Sequence, residues 1–341
     1  MSKSLGNSPD LLALIDVYGA DAVRFGIMIS SPAGNDILFD ESALEQGRNF
    51  NNKLWNVLKL IQGWEKRIDT NLDAQNEKFA MDWFENRLSQ VQQEVDVLLN
   101  SFKLSEALKT IYSLIWDDYC SWYLEWIKPG FEQPISKEVY DKTVHYLNEM
   151  MHMLHPFMPF ITEELHHALK TQTEDLCVKE YEPIQKVNES VLNAGALLKN
   201  VISTLRDARN KNQIKPKDTI EVHIQSENNP AYQTIQNILA KQVNAKSVAY
   251  TNAPIGSSIV VALEKDKFYL VADQAIDTVG LKENLLKDLA HQKGFLESVE
   301  KKLANEKFVQ NAKPEVIAIE QKKKADALAR IQTIEESLAQ L

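Results

Sequence analysis

The stretch LSEALKTIYSLIWDDYCSWYLEW, residues 104–126, decides the fold. Leu104, Leu108, Ile111, Tyr112, Ile115, Trp116, Tyr119, Trp122, Tyr123 and Trp126 recur at helical spacing, which predicts a helix over about 103–128. A helix this aromatic must be largely buried at the centre of a bundle. Its rings read as core rather than as a platform for stacked bases. Lys128-Pro129-Gly130 stops it.

The neighbouring sequence supplies the rest of the bundle. From Glu41 to about Tyr181 the pattern stays helical. A long helix carries Phe50, Leu54, Val57, Leu58 and Ile61 on one face and Arg48, Asn49, Asn52, Lys53, Asn56 and Lys59 on the other. Asn with Arg and Lys on one face suits contact with phosphates and base edges, although a solvated amphipathic face has the same pattern. Helices are also predicted over about 80–100 and 136–154, the latter closed by His155-Pro156. Thr162 is expected to cap a short helix after Met158-Pro159-Phe160. His145, His152, His155, His166 and His167 lack a His-Glu-x-x-His spacing and read as structural or surface residues, so no metal set is assigned.

Before the bundle, Ser8 and Asp10 offer caps to a helix whose apolar face is Leu11, Leu12, Leu14, Ile15 and Tyr18. Gly19 ends it, and Asp21 is expected to cap a second helix carrying Val23, Phe25, Ile27 and Met28. Arg24 lies among these apolar residues as a surface group or one turned toward the opening loop or toward RNA.

After the bundle the pattern changes. A helix over about 188–212 ends in Arg206, Arg209 and Lys211. The alternating strand Thr219–Ile224 follows, then a helix from Asn229-Pro230 and strands near 246–251, 257–263 and 267–272. This is a small α/β module with a basic corner of Arg206, Arg209, Lys211, Lys215 and Lys217, which suits RNA or simple solvation. In the last segment Leu285, Leu289, Gln292, Leu296, Val299 and Leu303, and then Ala327, Ile331, Ile334, Leu338 and Leu341, alternate in steps of four and three. That is the seam of a coiled coil. The turn Asn311-Ala312-Lys313-Pro314 folds the two helices back antiparallel. Lys301, Lys302, Lys307, Lys313 and Lys322-Lys323-Lys324 collect near its distal end.

The fold class is therefore mainly α: a helical bundle, a small α/β module and a C-terminal antiparallel coiled-coil hairpin. Composition agrees. The 341 residues are 44% hydrophobic and 25% charged, with only 11 Gly and 11 Pro, as in a globular, helix-rich protein. No apolar run reaches the length of a membrane span, and no signal peptide is visible. Two distant cysteines, Cys120 and Cys177, exclude a disulfide scaffold and a cysteine zinc site and fit a reducing cytoplasm. A net charge of −10 argues mildly against a nucleic-acid partner but leaves room for locally basic surface. No nucleophile–base constellation or Gly-rich phosphate cradle is present, which argues against a complete enzyme.

The opening run Met1-Ser2-Lys3-Ser4-Leu5-Gly6-Asn7 is small and flexible with one long cation, suited to handling phosphate or to a frayed terminus. It resembles the Lys-Met-Ser-Lys-Ser loop of class I aminoacyl-tRNA synthetases. Gly19-Ala20-Asp21-Ala22-Val23-Arg24-Phe25 resembles the helix after that loop. Gly47-Arg48-Asn49-Phe50-Asn51-Asn52-Lys53-Leu54-Trp55-Asn56, Trp116–Glu125 and His155–Glu164 are similar to the start, central helix and closing motif of the anticodon-binding domain of valyl-tRNA synthetases. Leu303-Ala304-Asn305-Glu306-Lys307-Phe308 resembles their C-terminal arm.

The resemblance implies residues 1–45 as the phosphate loop and linking helices of a catalytic half and 46–185 as an anticodon-binding domain. It implies 186–272 as a junction module and 273–341 as a tRNA-binding arm. It implies a parent ligase that activates valine with ATP and Mg and charges tRNA(Val). Lys3, with Ser2 and Ser4, would steady the pyrophosphate. The nucleotide-binding and editing domains are expected upstream, so this part alone is expected to bind tRNA, hold no cofactor and be inactive as a monomer in the cytoplasm. Arg48, Asn52, Lys53, Arg206, Arg209, Lys301, Lys302, Lys313 and Lys322 are the candidate tRNA contacts. The alternative is a helical scaffold whose coiled coil binds a protein partner.

Overall fold

The computed structural model describes residues 9–31, 34, 39–169, 174–272, 278–305 and 314–339, which fall into two compact units, 1–193 and 194–341. The first unit holds α1 (Leu11–Tyr18), α2 (Ala20–Ile29), α3 (Glu41–Glu65), α4 (Lys78–Asn100), α5 (Leu104–Ser113), α6 (Leu124–Ile127), α7 (Lys137–Leu154) and α8 (Pro159–Ala168). A short parallel pair, β1 (Ile68–Asp69) and β2 (Ile135–Ser136), ties the ends of α3 and α6 together.

The aromatic helix is central, as its sequence requires. Phe84 on α4 is fully buried, and its ring meets those of Tyr119, Tyr123 and Tyr146 at 5.1, 4.9 and 5.1 Å. Between α5 and α6 the chain stays helical but widens to π geometry over Leu114–Tyr123, a difference from the single α-helix predicted. The wider turn brings residues four apart closer to one line. Tyr119 and Tyr123 use it to reach one partner: the first donates to the Thr143 carbonyl at 2.8 Å, and the second bonds the Thr143 hydroxyl at 2.9 Å. The apolar group of these rings is thus fixed by satisfied hydroxyls.

Helices α2 and α3 cross at backbone distance because each offers a glycine. A Cβ on Gly47 would sit 2.7 Å from the Ala22 carbonyl oxygen, and one on Gly26 2.8 Å from the Leu44 nitrogen. Helix α1 behaves as predicted at its ends, with Asp10 accepting from Leu12 and Ala13 and Gly19 at φ 89°. Its apolar face is not buried, however. Leu11 and Leu12 are 51% and 72% exposed, because no described element packs on them.

Two capping expectations are corrected. Asp21 does not cap α2; it lies in the first turn and accepts from the Phe160 and Ile161 amides at 3.3 and 2.6 Å, so it caps α8 instead. Thr162 is already inside α8 and donates back to the Met158 carbonyl at 2.7 Å. One turn along α2, Arg24 donates to the Phe157 and Pro156 carbonyls at 3.0 and 2.9 Å. A carboxylate at the positive end of α8 and a guanidinium on the carbonyls just after α7 suit the two helix dipoles. Burial pushes the Asp21 carboxyl above the usual range, and the two amides oppose that shift.

Cys120 lies in the core, where burial pushes its thiol up to about 12, whereas Cys177 is exposed. A thiol reagent near neutral pH is therefore expected to modify one cysteine in the native chain and both in denaturant. Mass spectrometry of the labelled peptides checks this, and fast native labelling of Cys120 would contradict the packing.

The second unit contains most of α9 (Glu189–Lys211), then β3 (Ile220–Gln225), α10 (Asn229–Gln242), β4 (Ala245–Tyr250), β5 (Ile259–Leu263) and β6 (Asp266–Ala272). The sheet order is β4-β3-β6-β5. The β3–α10–β4 crossover makes a parallel pair, and β6 runs antiparallel to both β3 and β5. Along β3, Ile220, Val222 and Ile224 alternate inward, as period two demands. Glu264, at φ 53°, opens the tight β5–β6 turn expected at Glu264–Lys267. Last come α11 (Thr278–Leu303) and α12 (Pro314–Ala339). Their ion pairs Lys293–Glu335 at 2.8 Å, Glu300–Lys324 at 2.9 Å and Lys302–Glu320 at 4.0 Å run in opposite chain directions, so the helices are antiparallel. Val299, Ala327 and Ile331 are buried in the seam.

Candidate nucleic-acid interface

The outer face of α3 follows from its apolar stripe. Phe50, Leu54, Val57, Leu58 and Ile61 are buried, which turns Arg48, Asn52, Asn56 and Lys59 to solvent in one stripe at helical spacing. Arg48 is exposed, pairs with Glu45 at 3.3 Å and lies 5.4 Å from the centre of the Tyr18 ring on α1. Lys53 stands apart from Arg48 and Asn52. It is half-buried on the flank, with its ammonium 5.3 Å from the centre of the Trp116 ring.

Sequence reasoning missed the rings beside these cations. Lys59 lies 5.8 Å from the Trp55 ring, and half-buried Trp116 stacks on Tyr112 at 5.5 Å and 19°. The signal for the first was the i, i+4 spacing of Trp55 and Lys59. Cations held against rings next to exposed Asn amides offer phosphate contact, stacking and base-edge hydrogen bonds on one surface.

The basic corner of the second unit divides. Arg206 is exposed, but its guanidinium donates to the Gln242 carbonyl at 3.0 Å and side-chain oxygen at 2.8 Å, at the end of α10. Arg209 is not a surface residue: it is 4% exposed. It donates to the carbonyls of Lys215, Pro216 and Asp218 at 2.6, 3.4 and 2.7 Å and to that of Val243. Its fork ties the loop after α9 to the entry of β4, so it is a fold residue, a correction to the proposed RNA role.

Lys301 and Lys302 on α11 and Lys322 on α12 are exposed but paired. Lys301 meets Glu297 at 2.7 Å and Lys302 meets Glu320. Lys322 bonds Glu264 in the β5–β6 turn at 2.8 Å, so α12 reaches the module at a residue expected at the hairpin's free end. Such exposed pairs are weak and exchange readily for phosphate. Ser2, Lys3, Ser4 and Lys313 lie outside the described residues.

His166 is buried, bonding Asn148 at 3.0 Å and the Glu174 carbonyl at 2.9 Å, and His152 stacks on Tyr181 at 3.9 Å. Burial lowers the His152 pKa, with the Lys179 charge adding to the shift. Both act as structural histidines. No described helix is long and apolar enough to cross a membrane.

Two family matches define the class as the tRNA-binding part of a tRNA ligase. Residues 82–224 match the family described as anticodon-binding domain of tRNA ligase, and residues 277–341 match the valyl tRNA synthetase tRNA binding arm. Over its whole length the chain belongs with the C-terminal part of the valyl-tRNA synthetase family. It is 41% identical to a valine–tRNA ligase of Parabacteroides distasonis and 42% to one of Phocaeicola vulgatus, in each case over 100% of this chain and 39% of the relative. The chain thus spans about two fifths of the length of these curated relatives. Among solved structures, a LeuRS of Agrobacterium radiobacter in a ternary complex with tRNA is 21% identical over 56% of this chain and 22% of its own, at a TM-score of 0.38, too low to define a shared fold.

Proposed function

We propose that this chain is the part of a valine–tRNA ligase that grips tRNA(Val). In this reading residues 46–185 face the anticodon arm, 186–272 form the junction, and 273–341, as a coiled coil, hold the tRNA backbone elsewhere. The whole protein activates valine with ATP and Mg in the cytoplasm and transfers it to the tRNA, with Ser2, Lys3 and Ser4 serving the ATP pyrophosphate. The whole-length likeness to valine–tRNA ligases carries the reading. The cation-and-amide stripe of α3 supports it from geometry, although α3 lies before the matched anticodon-binding segment.

The bundle contacts are assigned to Arg48 and Asn52, with Lys53 at the flank. Arg206, Lys301, Lys302, Lys313 and Lys322 are assigned to backbone contacts. The chain carrying Arg48→Ala and Lys53→Ala is expected to bind tRNA(Val) about tenfold more weakly near 0.15 M salt, with a log–log salt slope shallower by about 1 to 2. Titration of labelled tRNA at several salt concentrations measures both, and circular dichroism checks the fold. Unchanged affinity and slope in a folded variant would refute the assignment. A stoichiometric protein partner without tRNA affinity would favour the scaffold reading.

A further inference from the structure

Three ligand-type side chains converge at the C-terminal half of α8. Glu163 and His167 are one turn apart and share a face of the helix. Asp175, in the turn that follows, reaches the same point. The His167 Nε2 atom lies 3.0 Å from Glu163 Oε1 and 2.9 Å from Asp175 Oδ1, and the three ligand atoms all lie within 4.8 Å of one another.

An imidazole Nε2 carries at most one hydrogen, so it cannot donate along a straight line to two carboxylates at once. Two negative groups therefore converge on one nitrogen with a single proton between them. A cation shared by the three groups would satisfy both carboxylates at once, and 2.9–3.0 Å is close to the spacing it needs. Ligand atoms about 2.1 Å from a common ion are about 3.0–3.4 Å apart at right-angle to tetrahedral geometry. Imidazole with carboxylates selects a borderline ion of zinc type over magnesium or calcium.

The Glu163 carboxylate is already oriented. It accepts the Leu176 amide at 3.1 and 3.2 Å, which joins the turn to the helix. His155 stands behind it, 3.8 Å from Oε2, with its other ring nitrogen on Thr162. Outer hydrogen bonds of this kind hold a ligand set in place. His167 and Asp175 remain partly open to solvent, which gives an ion an entry path.

The second such cluster, His145, Glu149 and Glu182, is weaker, because Lys179 already sits 2.8 Å from the Glu149 carboxylate.

We propose that Glu163, His167 and Asp175 bind a zinc-type divalent cation that staples the turn at 174–178 to α8. The test is calorimetric titration of the intact chain with zinc chloride in a non-chelating buffer. One equivalent is expected to bind at micromolar concentration or tighter. His167→Ala and Asp175→Asn are each expected to weaken binding at least tenfold. Both residues are partly exposed, so the variants should keep the native circular dichroism. Cys177→Ser serves as control, since that exposed thiol lies two residues from Asp175. No uptake at micromolar zinc, undiminished uptake by either variant, or loss of uptake in Cys177→Ser alone would each overturn the proposal.

Discussion

Arg209→Ala is expected to destabilise the second unit by about 3 kcal/mol or more, lowering its melting temperature by about 10 °C. The guanidinium is buried and feeds the carbonyls of Lys215, Pro216, Asp218 and Val243. Removing it leaves the buried Val243 carbonyl and three part-buried ones without their charged donor, the costly direction of the hydrogen-bond balance. Asn244 also donates to Pro216, Lys217 and Asp218, so part of the loop keeps a donor and the unit is weakened rather than abolished. Arg209→Lys should recover little, because one ammonium cannot span the fork.

The readout separates the units. All six tryptophans lie between Trp55 and Trp126, in the first unit. The variant should thus melt early by circular dichroism while tryptophan fluorescence keeps its transition. A wild-type melt by both probes, with tRNA affinity reduced instead, would return Arg209 to the RNA-facing set.

Phe84→Ala is expected to do the converse at about 3–5 kcal/mol. The ring sits among Tyr119, Tyr123 and Tyr146, and the hydroxyls of these three are tied to Thr143 and Met81. Those anchors prevent the surrounding rings from collapsing into the space, so most of the cavity persists. Tryptophan fluorescence should report the early transition, since Trp83 packs on Phe84 at 5.9 Å and on Trp126 at 4.6 Å. A loss below about 1 kcal/mol would mean that the site repacks, and that the hydroxyl anchors are weaker than their geometry indicates.

Ion pairing among the cations of α3 and of α11 and α12 bears on the proposed RNA reading. Exposed cations on both surfaces are engaged with carboxylates: Arg48 with Glu45, Lys301 with Glu297 and Lys322 with Glu264. At a net charge of −10 this pairing limits indiscriminate attraction of polyanions. In the proposed reading phosphates have to displace carboxylates, which favours RNA shapes that meet several cations together.

Most elements were legible in the chain itself. Helical repeats locate the buried faces of α3, α4 and α7, period two marks β3, and the steps of four and three along α11 and α12 mark the positions at which Val299, Ala327 and Ile331 are buried. These readings succeed because apolar burial is set by the local period of helix or strand, which neighbouring residues carry. The charged and capping side chains were not legible in the same way. Asp21 looked like a cap for its own helix, yet it caps one 140 positions away. Arg209 looked like its exposed neighbour Arg206, and Lys322 looked like part of a free basic tip. Periodicity states which side of a helix a residue occupies, whereas its role depends on which carbonyl, amide or carboxylate the fold brings to that side. Glu163, His167 and Asp175 show the same limit: the i, i+4 pair is written in the sequence, but only the turn after α8 delivers the third oxygen.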